Sequence, residues 1–249
     1  MRNRAENLST RGWMAFNARL VMVMALMMLA ASVFTLPFPF VRPMWIGEIW
    51  GYYGLLNSVC FIAISQGLSR FSMSAAVSGM AITLYDQWLT WHAFLLRFNA
   101  GELDGDSLLY MGISLLVGGV LIMLLLSSMR ASYLHIQHHR GEKENQVQKA
   151  RKVLILTSVM SVLYIGLILV AGKAAHLDPP VAYATLRILG VPACLLAGAR
   201  IGGLLQTGFE NGGMDPSTIA RIIFHALFFA WILWSIHALI PLQQIMQKF

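Results

Sequence analysis

Two ionisable side chains stand in stretches of sequence that are otherwise apolar. Asp86 lies in the run LYDQWLTWHAF, and Arg187 lies in the run ATLRILG. Because an ionised group is costly to place in hydrocarbon, such residues are functional candidates wherever apolar segments cross a membrane. Their predicted depths differ by about four residues, or about 6 Å at the rise of an α-helix. The sequence therefore predicts an intramembrane charge pair, which either joins two helices, relays a proton or ion, or offers Arg187 to an anionic solute.

Histidines near the ends of two apolar stretches are candidate ligands for a metal or a haem. His92 and His237 each lie about four residues from the same predicted face of the membrane, so their depths match. A b-type haem needs two histidines at equal depth on facing helices. His176 lies toward the same face and is a third candidate ligand. Since no HxxxH or HxxE spacing occurs inside an apolar stretch, we expect no resident cofactor, with one haem b as the alternative.

Small residues recur at every fourth position in the stretch that contains Arg187, and a shorter row precedes Asp86. Such rows predict faces where another helix approaches closely, because small side chains let two backbones come together. The members of the two rows are Gly190, Cys194, Gly198 and Gly202, and Ala75 and Gly79. We interpret both rows as helix-packing positions within one bundle.

The composition shows what kind of elements must position these residues. The chain has 249 residues, of which 57% are hydrophobic and 12% are charged, and its mean hydropathy is +0.66. Soluble domains are about one quarter charged. A chain with so little charge is not a soluble globular enzyme, a disordered chain or a disulfide scaffold. The composition is typical of an integral membrane protein.

Seven apolar segments of roughly spanning length follow one another along the chain, and no alternating strand pattern is present. Their boundaries are 20–37, 46–66, 74–96, 108–129, 153–172, 181–205 and 218–240. Because backbone groups in hydrocarbon must bond within their own segment, helices are expected. The predicted fold is an all-α polytopic membrane bundle of about seven transmembrane helices.

The basic residues predict the orientation of this bundle. The net charge is +7. Most cations lie before the first segment, between the fourth and fifth segments, or in other connections that fall on the same predicted side of the membrane. Because cations concentrate on the cytoplasmic face, we predict a cytoplasmic N-terminus. The connection at 130–152 is expected to contact anionic lipid. Its cations are Arg130, Arg140, Lys143, Lys149, Arg151 and Lys152.

The predicted organisation is a basic cytoplasmic tail at 1–19, a single transmembrane bundle at 20–240 and a short tail at 241–249. The sequence lacks the usual motifs for serine nucleophiles, zinc hydrolysis and nucleotide binding, which favours a protein that is not an enzyme. The expected location is a membrane, and specifically the plasma (inner) membrane if the source is bacterial.

Two functions fit these features. The first is a transport component or a membrane subunit of a larger assembly, with the lipid bilayer and other membrane subunits as partners and no nucleic acid. The alternative is a membrane redox subunit that holds one b-type haem between His92 and His237. Asp86→Asn distinguishes transport from assembly. Loss of flux with an intact complex favours transport, and loss of the complex with unchanged flux favours assembly.

Overall fold

The fold was obtained as a computed structural model, and the structure describes residues 2–35, 48–101, 105–138, 152, 154–156, 159 and 179–239. Within these ranges the backbone forms helices and turns and no strand, so the all-α prediction is confirmed for them. Helix bounds are α1 Arg2–Thr35, α2 Glu48–Leu68, α3 Met73–Ala100, α4 Gly105–His138, α5 Pro179–Glu210 and α6 Pro216–Leu239.

Four stretches within these helices are long and apolar enough to cross a membrane. They are Ser9–Val33 in α1, Met111–Gln137 in α4, Leu189–Glu210 in α5 and Pro216–Ser235 in α6. The chain is therefore an integral membrane protein. The described apolar part of α2, Gly54–Leu68, is shorter than a span. Seven spans stay a prediction, since most of the fifth segment, 153–172, lies outside the described residues.

Neighbouring helices run antiparallel, as their contacts at two levels show. At one level the Ser65 hydroxyl of α2 donates to the Ala18 carbonyl of α1 at 2.7 Å. At another, Gly54 near the start of α2 packs on Ser32 near the end of α1. The Ser78 and Ser74 hydroxyls of α3 likewise donate to two carbonyls of α5 in reverse order, Leu195 at 3.1 Å and Ala199 at 3.3 Å.

The end of α4 and the beginning of α5 lie at opposite ends of the bundle. His135 near the end of α4 stacks on Phe71 in the turn between α2 and α3, with ring centroids 4.1 Å apart. Gly190, in the first half of α5, instead packs on Tyr85 near the middle of α3. Because α3 and α5 are antiparallel, the residues before Gly190 continue toward the other end of α3. A chain that crosses the membrane seven times requires α4 to end and α5 to begin on opposite sides, with the fifth segment between them. The described positions 154–156 of the fifth segment are helical, and Leu154 is buried in the core.

The described arginine side chains mark one end of the bundle, which we call the basic end. They are Arg11, Arg19, Arg70, Arg130, Arg200 and Arg221. The sequence predicted these cations on one side of the membrane, and the antiparallel helices bring them to one end. That this end faces the cytoplasm stays a prediction, because no membrane is part of the structure.

Helix α6 begins at an aspartate cap. The Asp215 carboxylate accepts hydrogen bonds from the Ser217 hydroxyl at 2.5 Å and from the Thr218 backbone N–H at 3.2 Å. The bond from Thr218 satisfies a backbone donor that the first turn leaves open. The hydrogen bond from Ser217, and then that from Thr218, lowers the pKa of the Asp215 carboxyl.

The cap has a predictable pH dependence. Because the folded-state pKa is lowered, ionised Asp215 stabilises α6 at neutral pH, and this contribution is lost as the pH falls through that pKa. We expect Asp215→Ala to lower the thermal midpoint of the detergent-purified protein at neutral pH, followed by circular dichroism. The difference from wild type should shrink in strong acid. Asp215→Asn keeps a capping acceptor and is the control; an alanine effect that is independent of pH would contradict the assignment.

Candidate functional site

Asp86 lies on a polar face of α3, the helix at the centre of the bundle. Gly79, Thr83, Asp86 and Thr90 follow one another at steps of four, three and four, so they share one helix face. Gly79 packs against Ile64 of α2 and Leu125 of α4, which shows that this face points between those two helices. The Thr83 hydroxyl donates to the Gly79 carbonyl at 2.8 Å, and the Thr90 hydroxyl donates to the Asp86 carbonyl at 2.9 Å.

Asn57 of α2 lies at the level of Asp86. Ile64 of α2 contacts Gly79 of α3. Asn57 lies seven residues from Ile64, and Asp86 lies seven residues from Gly79, each about two turns away from the basic end. Asn57 is buried, with 5% of its surface exposed, while Asp86 is half-buried. An amide and a carboxylate therefore occupy one level of two antiparallel helices.

Gln87 extends this polar level to α4. Its side-chain amide donates to the Ser114 carbonyl at 3.0 Å and to the Ser114 hydroxyl at 3.3 Å. Gly118 makes room for it, since a methyl group there would overlap the Gln87 side chain. The Gln87 Oε1 is buried and accepts no hydrogen bond from the described residues. We call Asn57, Thr83, Asp86, Gln87, Thr90 and Ser114 the polar layer.

Arg187, the predicted partner of Asp86, lies on α5 near the same level. Gly190 packs on Tyr85, and position 187 lies about one turn beyond Gly190 toward the opposite end. The register of the antiparallel α3–α5 pair therefore places positions 86 and 187 at levels of the bundle that differ by at most about one turn. The Arg187 side chain lies outside the described part of the structure, so the ion pair stays a proposal.

The small residues of α5 face α3 at three successive levels. Gly190 lies against the Tyr85 ring, Gly198 against the backbone of Ser78, and Gly202 against Ser74, where an added Cβ would lie 2.5 Å from the Cα. Cys194, between them in the row, is 1% exposed. The α5 backbone therefore touches the α3 backbone at the basic end, and this contact fixes α3 in the bundle.

The shorter row on α3 faces other helices. Ala75 fills the space beside Gly67 of α2, and Gly79 lies between Ile64 of α2 and Leu125 of α4. The two rows thus pack at different interfaces of α3. Both interfaces bury small side chains and bring helices close together, which is the packing that such residues allow.

His92 and His237 lie in contact at the opposite end of the bundle. Their ring centroids are 5.0 Å apart and their planes are perpendicular. Trp88 covers both, with centroids 5.1 Å from His237 and 5.9 Å from His92. The His237 Nδ1 is buried and accepts or donates no hydrogen bond among the described residues. The third candidate, His176, lies outside the described residues.

The described side chains offer little support for a metal centre. No three histidine, cysteine or carboxylate groups among them converge in a way that could hold a metal ion. Two axial bonds of about 2 Å would set imidazole centroids roughly 6 Å apart across a haem iron. The observed perpendicular contact of His92 and His237 is shorter than that separation.

The predicted lipid-contact cations lie mostly beyond the described residues. Arg130, two turns before the end of α4, and Lys152 have exposed side chains. The other four, Arg140, Lys143, Lys149 and Arg151, lie outside the described residues. Their contact with anionic lipid stays a prediction.

Sequence reasoning missed the uncharged members of the polar layer. It searched apolar segments for ionisable groups, whereas Asn57, Gln87 and Ser114 carry no charge. An amide also costs free energy in hydrocarbon unless it is hydrogen-bonded, so Asn57 and Gln87 were detectable as exceptions within segments 46–66 and 74–96.

Comparison with protein-family models, curated proteins and solved structures finds no match to this chain.

Proposed function

We propose that this protein is a membrane transport component that moves protons or small cations, with Asp86 as the group to which the ion binds. The observation that supports the proposal is the convergence of polar side chains from three helices at one level of an apolar bundle. Asp86 is the one carboxylate of this layer. Asn57 and Gln87 add amide groups, which supply oxygen ligands and hydrogen-bond donors beside it.

The surroundings of the layer favour transport over a purely structural role. Other polar side chains of α3, such as Ser74 and Ser78, donate directly to carbonyls of α5 and so join two helices. Gln87 also joins two helices, through its amide nitrogen and Ser114, but its Oε1 is buried and has no hydrogen bond among the described residues. Buried polar groups with spare hydrogen-bonding capacity are costly, and in membrane proteins they are typical of pathways for ions or water.

The direct experiment is reconstitution of the full chain into liposomes. An imposed potassium diffusion potential drives cation uptake, and internal dyes report protons or sodium. We expect uptake of one of these ions well above that of protein-free vesicles. Leak equal to protein-free vesicles for both ions, with the protein inserted and helical, would overturn the transport proposal.

A role as a subunit of a larger membrane assembly is the second candidate. The spanning part of α6, Pro216–Ser235, has none of its residues buried, and Phe224, Trp231 and Trp234 are each at least 60% exposed. Lipid or another subunit would cover this surface. Under the assembly proposal, Asp86→Asn changes which proteins co-purify with the chain, whereas under the transport proposal it changes flux alone.

A haem-binding redox subunit has less support than either of these. His92 and His237 lie side by side, as that proposal requires, but their ring contact is closer than axial ligation allows. We expect no Soret band in the visible spectrum of protein expressed with a haem supply. A Soret band that disappears in His92→Ala would instead establish the redox role.

A further inference from the structure

A cleft opens between α1 and α4 at the basic end of the bundle. Its volume is about 330 Å³, and it is part polar and part apolar. Arg130 of α4 lines it together with three hydroxyl side chains, those of Ser9, Thr10 and Ser127. The Trp13 indole forms part of one wall. A guanidinium among hydroxyl groups is a combination that binds phosphate, because arginine donates two parallel hydrogen bonds to it and hydroxyls add further donors.

The walls of this cleft are held together by a hydrogen-bonded side chain. The Asn17 amide of α1 donates to the Ser127 hydroxyl at 3.1 Å and to the Ser128 hydroxyl at 3.2 Å, both on α4. Asn17 is 1% exposed. Because Ser127 also lines the cleft, the position of one hydroxyl of the cleft is fixed relative to α1 before any ligand arrives.

An apolar groove adjoins the cleft and shares Ser9 and Trp13 with it. It has a volume of about 370 Å³ and is lined by Ser9, Gly12, Trp13 and Phe16. Trp13 and Phe16 are 60% and 53% exposed, and their rings meet edge to face at 6.0 Å. Gly12 leaves the groove open, since a methyl group there would meet no atom within 4 Å.

We propose that the cleft and the groove together form a binding site for one anionic phospholipid. Arg130 and the hydroxyl groups hold its phosphate, and an acyl chain lies along Phe16 and Gly12. Free phosphate shares the headgroup chemistry but has nothing to place in the groove, so the adjacent apolar surface favours a lipid. The site lies where the apolar spans Ser9–Val33 and Met111–Gln137 begin and end, at the level of lipid headgroups.

This site is independent of the proposed ion transport, and its test uses lipid binding alone. The full chain, purified in a phosphate-free detergent, is titrated with dioleoyl phosphatidylglycerol or dioleoyl phosphatidylcholine, and bound lipid is counted by native mass spectrometry. We expect one phosphatidylglycerol to bind before any phosphatidylcholine. Arg130→Gln should weaken that binding about tenfold, the loss of a charge-assisted hydrogen bond. The matched control is Arg19→Gln, an exposed cation of α1 outside the cleft.

Two further measurements distinguish the site from other sources of the same signal. Gly12→Leu fills the groove without touching the cleft and should weaken lipid binding while leaving inorganic phosphate binding unchanged. Inorganic phosphate or glycerol phosphate should compete with the lipid only at much higher concentration. Equal losses in Arg130→Gln and Arg19→Gln would show diffuse attraction and overturn the proposal. Equal competition by free phosphate would overturn it in favour of a phosphate site.

Discussion

Asp86→Asn is expected to lower ion flux through the reconstituted protein by at least about tenfold. Asparagine has nearly the shape of aspartate, so it fills the same space between α2, α3 and α4. It does not ionise, and therefore it neither binds a proton at that position nor offers a negative charge to a cation. The remaining groups of the polar layer, among them Asn57 and Gln87, keep their hydrogen-bonding atoms. They carry no charge, so they cannot replace the lost carboxylate.

The comparison variants for this substitution are Asp86→Glu and Asp215→Asn. Glutamate retains the carboxylate and should keep part of the flux, whereas Asp215 lies at an exposed cap outside the spans and its substitution should leave flux unchanged. If Asp86 and Arg187 instead form a purely structural pair, Asp86→Asn leaves the charge of Arg187 unpaired and destabilises the bundle, by about 3–5 kcal/mol for a fully buried pair. The double variant Asp86→Asn with Arg187→Gln would then restore stability, and wild-type flux in it would contradict the transport role of Asp86.

Gly198→Ala is expected to destabilise the bundle by about 1–3 kcal/mol, the cost of overpacking a close contact. An added Cβ at Gly198 would overlap the backbone of Ser78, and backbone atoms cannot turn aside as the end of a flexible side chain can. α5 would have to move away from α3. That movement would also break the hydrogen bond from the Ser78 hydroxyl to the Leu195 carbonyl.

Gly112→Ala is the matched control for this packing prediction. Gly112 lies on α4, and an added methyl group there meets no atom within 4 Å. Both substitutions exchange the same atoms within a helix, so their intrinsic helix propensities cancel. Thermal denaturation in detergent, followed by size-exclusion chromatography, should show a lower midpoint for the Gly198 variant alone. Equal midpoints for the two variants would contradict the close α3–α5 contact.

The sequence predicted those features of the fold that follow from local composition and spacing. Helices, the approximate bounds of several of them and the row of small residues on α5 are visible in one segment at a time. The start of α1 was not predicted, because this helix begins at Arg2, within the predicted tail 1–19. The partner of each helix is not, because it depends on contacts between residues more than one hundred positions apart, such as Ser78 with Leu195. α3 shows the difficulty best: the sequence predicted an apolar segment at 74–96, whereas α3 of the structure is not among the four stretches that are long and apolar enough to cross a membrane. Its serines donate to carbonyls of α5, so it does not need an apolar surface there.

The polar layer was predictable only in part for a related reason. Asp86 was identifiable as a charge in an apolar segment, and the equal depth of His92 and His237 was identifiable from their positions. Depth along a helix follows from counting residues, whereas rotation about the helix axis depends on packing. That Asn57 of α2 lies at the level of Asp86, and that Ser114 of α4 bonds Gln87, was therefore visible only once the helices were assembled.

Labelling with a hydrophobic carbodiimide tests the binding of ions at Asp86 most directly. The reagent partitions into the membrane and forms a stable adduct with carboxyl groups in apolar surroundings, and mass spectrometry of peptides locates the adduct. We predict that Asp86 is modified in the reconstituted wild-type protein and that flux falls in proportion to the modified fraction. Full modification of Asp86 with undiminished flux, or complete loss of flux with Asp86 unmodified, would contradict the assignment of Asp86 as the ion-binding group.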